Sequence, residues 1–244
     1  MTAKTFSGMV EFKQLLARDI MHLRIRLLEP QTIEFNAGQN IRLDSKPYGN
    51  KPAVARIFSL ASPPAQNRQI ELIVRRNPGG ICTPWIFDIL RSGESITFTA
   101  PFGRFRLSDN LTPALFIAGG SGMSALWGML RDMIGKKLER RIRFFFSVRT
   151  QNDLYFTDRL SLLEKEHAWF TFIPCLSEEP EDSDWQGERG DISDIVRRRF
   201  AEAAESEAYL CGPPGMVHSC TQALISLGLA RDRIFFDAFT PQTN

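Results

Sequence analysis

The chain has 244 residues, 43% hydrophobic and 24% charged, with a net charge of only +2, a composition that supports a sizeable core and gives no case for a nucleic-acid binder. The opening "MTAKTFSGMVEF" lacks the apolar core of a secretory signal, and no apolar run approaches the length of a membrane span. Four cysteines without C-x-x-C spacing exclude a plant-type iron–sulfur cluster within the chain and imply a reduced, cytoplasmic setting, while three scattered histidines suggest no metal site.

Up to about residue 106 the chain reads as strands. In "IMHLRIRLL", Met21, Leu23, Ile25 and Leu27 fall on one face, and His22, Arg24 and Arg26 on the other. Similar runs near 8–14, 39–44, 54–60, 69–76 and 94–100 make six, which predicts a small antiparallel β-barrel. One helix is expected over 83–90 in "CTPWIFDILRSG", with Thr83 as N-cap, Pro84 in the first turn and Gly93 as the stop.

After "SDNLTP" (108–113) strands and helices alternate. "ALFIAG", "RIRFFFSV", "WFTFIPCL", "EAYLCG" and "RIFFDAF" are five apolar runs with helical segments between them. That pattern predicts an α/β doubly wound parallel sheet of five strands. The expected domains are therefore 1–109 and 110–244. Basic clusters at Lys136 and Lys137, at 140–143, and at Arg197, Arg198 and Arg199 read as solvated faces or as docking surface for an acidic partner.

Ligands of doubly wound sheets sit beyond the strand carboxyl ends. "IAGGSGMSA" satisfies G-x-G-x-x-A through Gly120, Gly122 and Ala125, directly after a strand and opening a helix. Such a turn lets backbone approach a pyrophosphate at a helix N-terminus, or serves tight packing alone. A hydrolase nucleophile at Ser121 is the rival, but "GGSGM" lacks the last glycine of G-x-S-x-G and His218 falls within a helix. The next strand ends at Arg149, which favours a 2′-phosphate, although Asp153 lies just beyond. "YLCGPPGM" ends a later strand in a rigid turn, with Cys211 either a small apolar residue or a group that fixes a planar ring.

"RIFS" (56–59), "GGICT" (79–83), "GGSG" (119–122), "CGPPGM" (211–216) and "FFDAF" (235–239) stand in the order and spacing of the ferredoxin–NADP reductase superfamily, which the chain resembles from about residue 6 to 240. It is most similar to the flavin modules of bacterial oxygenase reductases and of the sodium-translocating NADH:quinone reductase. The resemblance implies an FAD-binding barrel followed by an NAD(P)-binding domain. Arg56 would pair with the FAD pyrophosphate. Phe58, beside Ile57, would stack on the isoalloxazine where tyrosine is commoner, and Ser59 would hydrogen-bond near flavin N5. Val74 and Arg75 would run beside the ribose and adenine. Gly80, Ile81, Cys82 and Thr83, the last in place of the usual serine, would form the FAD pyrophosphate loop. Gly120, Ser121, Gly122 and Met123 would hold the nicotinamide coenzyme's pyrophosphate. Cys211, Gly212, Pro213 and Met216 would border the nicotinamide, and Phe239 would cover the other flavin face.

The implied chemistry is hydride transfer from NAD(P)H to FAD, with Ser59 and Cys211 orienting the rings. Electrons would then pass to a separate ferredoxin or oxygenase component. Two alternatives remain open: a reductase that uses free flavin as substrate, and a non-catalytic FAD-carrying subunit. The neighbourhood "SVRTQNDLYF" leans towards NADH, and Arg149 pulls towards NADPH.

Overall fold

The computed structural model describes residues 2–108, 110–200 and 205–239. The chain forms two compact units. The first holds the residues up to Leu107 together with Trp127–Lys136, and the second holds Ser108–Leu126 and the chain from Lys137 onward.

In the first unit, β1 (Lys4–Ala17), β2 (Ile20–Glu29), β3 (Asn40–Asp44), β4 (Ala55–Ser59), β5 (Gln69–Arg75) and β6 (Ser95–Phe102) pair antiparallel in the order β4-β3-β6-β1-β2-β5. A bridge between Leu60 and Leu72 brings the two ends of the sheet together, so the six predicted runs form the barrel. The alternation of β2 explains its core: Leu23 and Ile25 are fully buried with Val10, Ile41, Leu43, Leu72 and Phe98.

The other face of β2 carries a buried polar cluster. His22 is buried, with its Nε2 3.1 Å from Glu71 Oε2 on β5. Arg131 Nη1 lies 2.8 Å from the same carboxylate, and Arg24 3.7 Å from its other oxygen. Burial pushes the Glu71 carboxyl up, but the hydrogen bonds from His22 and Arg131 outweigh it and hold the group at about 2. A half-buried alternating strand cannot announce such a partner, because Glu71 lies 49 positions away.

The predicted helix is also different in detail. A single turn, α1 (Cys82–Pro84), passes directly into a π-helical turn over Trp85–Ile89, and its N-cap is Ile81 without a side-chain cap. Thr83 is not the N-cap. Its hydroxyl accepts from the Asn77 N–H at 2.8 Å and donates to the Asn77 carbonyl, tying the Gly-rich loop to the helix start.

In the second unit, β7 (Ala114–Gly119), β8 (Ile142–Val148), β9 (Phe170–Leu176), β10 (Glu188–Arg189), β11 (Glu207–Gly212) and β12 (Ile234–Ala238) form a parallel sheet ordered β10-β9-β8-β7-β11-β12. The five expected strands are present. The sixth, β10, has two residues, too few to leave a periodic signal. Every residue of β7 and of β11 is buried, as a parallel strand between two helical layers requires. The helices are α2 (Met123–Gly135), which starts in this unit but belongs to the first from Trp127 on, α3 (Thr157–Glu166), α4 (Ile192–Arg199) and α5 (Pro214–Ser226). Strand order reverses between β7 and β11, the kind of point at which doubly wound sheets place their ligands.

The basic cluster at 140–143 is not wholly a solvated face. Arg140 is 1% exposed and pairs with Glu207 at 2.6 Å. Arg197, Arg198 and Arg199 do fit the solvated reading: all three are exposed, and the last two grip Glu188. Among the described residues no helix is long and apolar enough to cross a membrane.

Candidate functional site

In the first unit two motifs separated in sequence come near each other. On β4, Arg56 and Phe58 share one face by the period of two, and Phe58 packs against the barrel core. Burial pushes the Cys82 thiol up to about 12, and the nearby Arg56 guanidinium opposes that shift. "RIFS" and "GGICT" therefore lie within electrostatic reach of each other. Ser59 is buried at the end of β4, whereas Ile57 is 53% exposed, an unusual position for a large apolar side chain on a barrel strand. Val74 is buried on β5, and Arg75 reaches out to Asp19 at 2.7 Å.

Two residues of this site escaped the sequence analysis. The Tyr48 hydroxyl donates to the Ile81 carbonyl at 2.9 Å, pinning the loop from the β3–β4 connection. Asn77 organises the same loop: its carbonyl accepts from Gly80 N–H at 3.0 Å, and its Oδ1 from Gly79 N–H at 3.3 Å. The available signal was the N-P-G-G run, an Asx-turn composition before the glycines.

In the second unit the carboxyl ends of β7 and β11 pack tightly together. Gly120 has φ +52, and the 3₁₀ turn Gly120–Gly122 leads into α2. A Cβ on Gly122 would overlap the Cys211 carbonyl, and one on Gly119 would lie 2.5 Å from Met216 Sδ and 2.9 Å from Pro213 Cδ. Gly212 has φ +152, and a Cβ there would sit 3.0 Å from Gly119 Cα. "GGSG" and "CGPPGM" thus need glycine where their backbones touch. Tyr155, also missed, donates its hydroxyl to the Gly120 carbonyl at 2.8 Å.

Cys211 is fully buried, and burial, with Asp237 adding to it, pushes its thiol well above the ordinary value. The group is therefore a neutral thiol. Phe239 is tied to the same turn, its N–H donating to the Gly212 carbonyl at 3.0 Å. Arg149 follows β8 and faces Glu178 at 3.5 Å. A cavity of about 550 Å³ lies elsewhere in this unit, lined by Arg143, Phe172, Pro174, Glu188 and Arg199 among others. It shares no residue with these turns, so concavity alone misdirects a search for the site.

Comparison with known proteins agrees with the motifs. The oxidoreductase FAD-binding domain family matches residues 7–107, and the oxidoreductase NAD-binding domain family matches residues 116–222. The chain is 34% identical over 229 residues to a propane 2-monooxygenase reductase component of Rhodococcus jostii, covering 92% of this chain and 61% of that protein. It is 32% identical over 241 residues to the ferredoxin–NAD(P)(+) reductase component of a naphthalene 1,2-dioxygenase system of Pseudomonas putida, covering 98% of this chain and 70% of that one. The crystal structure of a cytochrome P450 reductase from Amycolatopsis superposes with a TM-score of 0.89 at 31% identity, over 98% of this chain and 71% of the other. The chain spans 61% to 65% of the length of the first curated relatives it matches.

Proposed function

Because this chain belongs to the ferredoxin–NADP reductase superfamily of FAD- and NAD-binding oxidoreductases, we propose that it is an NAD(P)H-dependent FAD reductase delivering electrons to a separate ferredoxin or oxygenase component. The observation that carries this reading is the convergence of motifs inside each unit, Arg56 with the Cys82 loop in one and 119–122 with 211–216 in the other.

The loop chemistry fits FAD. A Cβ on Gly79 or Gly80 would meet nothing nearer than 3.4 Å, and neither glycine has a positive φ. The chain's own packing therefore does not demand glycine at these positions. That leaves steric room for a diphosphate beside the start of the helical segment. Bound FAD would accept a hydride from NAD(P)H and release its electrons singly. Arg56 would neutralise the diphosphate, and Ile57 and Phe58 would give the ring an apolar wall. Ser59 would hold a hydrogen bond near flavin N5, and Val74 and Arg75 would border the ribose and adenine. Gly80, Ile81, Cys82 and Thr83 would form the diphosphate turn.

On the coenzyme side, Gly120, Ser121, Gly122 and Met123 would hold the pyrophosphate, with Gly212, Pro213 and Met216 beside the nicotinamide. Cys211 would back that ring as an uncharged thiol, taking no part in thiolate chemistry, and Phe239 would cover the flavin face. NADH is favoured over NADPH. The four cysteines, all free and buried, support a reduced, cytoplasmic setting.

The visible spectrum of the purified chain, taken before and after anaerobic NADH, tests the reading. A stoichiometric flavin band that bleaches is expected. A colourless protein that oxidises NADH only with added flavin would favour the free-flavin alternative. A yellow protein that neither coenzyme bleaches would favour the non-catalytic subunit.

The acceptor surface is proposed to include Arg104 and Arg106, both exposed and flanking buried Phe105. Reversing both charges should lower turnover with an acidic acceptor about tenfold at low salt and flatten its ionic-strength dependence. Stopped-flow rates at several salt concentrations, referred to bleaching by NADH, check this. An unchanged salt slope removes these two residues from the surface.

A further inference from the structure

The turn that follows β8 is set against a fixed row of carboxylates. Pairing between β8 and β9 continues past both strands, with the Ser177 N–H donating to the Val148 carbonyl at 3.0 Å and the Glu178 N–H to the Arg149 carbonyl at 2.9 Å. Main-chain bonds thus hold Glu178 next to Arg149, where its carboxylate lies 3.5 Å from Nε. One step on, Gln151 donates from its backbone N–H to Glu179 at 2.8 Å, and from Nε2 to Glu179 and Asp184 at 2.9 Å each. Asp153 turns back to accept from the Thr150 N–H and hydroxyl, both at 3.0 Å.

The segment carrying these acids is anchored from below. Arg189 Nη1 donates to the Trp185 carbonyl at 2.6 Å and Nη2 to Ser183 Oγ at 2.8 Å. The Glu179 carboxyl is held below its usual range by the hydrogen bonds from Gln151, so that group is ionised at neutral pH.

In a doubly wound sheet, the end of the strand after the Gly-rich turn is where the adenosine ribose is read, a free 2′-hydroxyl by a carboxylate and a 2′-phosphate by an arginine. Both residue types stand here, and the geometry decides between them. Resting on the reading that a nicotinamide dinucleotide is the donor, we infer that Glu178 makes the chain select NADH, by occupying Arg149 and by presenting a carboxylate where a 2′-phosphate would have to sit.

The Arg149 and Glu178 pair is more than 60% exposed on both sides, so its own strength is small. Its weight lies in the difference between ligands. A 2′-phosphate that reaches the guanidinium must sit beside the Glu178 carboxylate and be repelled by it, while a 2′-hydroxyl finds an acceptor already in place.

The experiment is isothermal titration of NAD⁺ and of NADP⁺ into the FAD-loaded full chain, for the parent, for Glu178→Gln and for Glu178→Gln combined with Arg149→Ala. The parent should bind NAD⁺ more tightly. Glu178→Gln should move the affinity ratio towards NADP⁺ by about tenfold or more, the size of one charge-assisted hydrogen bond gained. Removing Arg149 in that background should reverse the gain. Both side chains are exposed, so the fold is not at risk in any variant. A parent that binds NADP⁺ at least as tightly, or a ratio that Glu178→Gln leaves unmoved, overturns the inference. If neither dinucleotide binds, the coenzyme reading falls and the inference with it.

Discussion

Alanine at position 122 should slow bleaching of the flavin by NADH roughly a hundredfold and lower the melting temperature of the protein. A Cβ there overlaps the Cys211 carbonyl and comes within 2.9 Å of the Gly212 N. Both neighbours are backbone in the most buried part of the sheet, so neither can swing aside. Overpacking a rigid site costs about 1–3 kcal/mol and more where backbone must move, which lowers the melting temperature by about 5–10 °C for a protein of this size. The functional effect is larger, because opening the gap separates the two turns proposed to hold the pyrophosphate and the nicotinamide. A shift of about 1 Å in such positioning groups reduces rate roughly a hundredfold.

Gly215→Ala is the control. It lies in the same "CGPPGM" turn, but a Cβ there meets nothing within 4 Å and its φ is not positive. That variant should melt no lower than the parent, since alanine is the better residue in a helix. Differential scanning calorimetry and anaerobic stopped-flow on both variants decide the matter. If Gly122→Ala bleaches at the parent rate, contact between the two turns does not govern coenzyme placement.

The contrast between these two glycines also shows what the sequence could reveal. G-x-G-x-x-A and C-G-P-P-G announce strand-end turns because they depend on local backbone geometry, which local sequence encodes. The barrel strands were legible for a similar reason, since the period of two in β2 follows directly from its buried Leu23 and Ile25. Long-range polar partners leave no such trace. His22 alternates with apolar neighbours, and nothing near it in sequence announces Glu71 on β5. Tyr48 and Tyr155 look like ordinary loop aromatics, yet each hydroxyl fastens a carbonyl of a proposed binding turn. Thr83 illustrates an error of kind. Its hydroxyl fits the N-cap preference, but Asn77, six residues back, competes for it and wins. Family resemblance carried the roles of Arg56, Ser59 and Cys211, which residue type alone left open.

Arg140 is the residue most thoroughly misread by composition, and replacing it with methionine should destabilise the second unit by about 3–5 kcal/mol. The guanidinium is 1% exposed and reaches Glu207 at 2.6 Å, while its Nε donates to the Thr112 carbonyl. Glu207 also accepts from Ser108 Oγ at 2.6 Å, Asn110 Nδ2 at 2.7 Å and the Tyr209 hydroxyl at 2.7 Å. Removing the cation strands a buried carboxylate, and that loss, more than any missing attraction, sets the size of the effect. The consequence reaches the candidate site, because Ser108, Asn110 and Thr112 fix the segment entering β7, whose far end carries the Gly-rich turn.

The pH dependence follows from the same groups. Burial pushes the Glu207 carboxyl up, but the bonds from Ser108, Tyr209, Asn110 and Arg140 hold it at about 2 against a usual 4.5. A depressed folded-state value means the contribution is complete above about pH 4.5 and is lost as the pH falls towards 2. Glu71, also held at about 2, gives the first unit the same acid limit. In Arg140→Met, Glu207 loses a hydrogen bond and its compensating charge, so acid unfolding should begin at higher pH than in the parent. Arg140→Met combined with Glu207→Leu should recover much of the neutral-pH stability, because apolar replacement of a buried pair is often nearly neutral. Its stability should also fall less between pH 5 and 3, since one of the two carboxylates held at about 2 is gone. Melting curves of the three proteins from pH 3 to 8 separate these outcomes. Equal melting of the parent and Arg140→Met at pH 7 would mean that water reaches Glu207 readily enough to replace the guanidinium, and the cluster would then be a polar edge rather than a structural anchor.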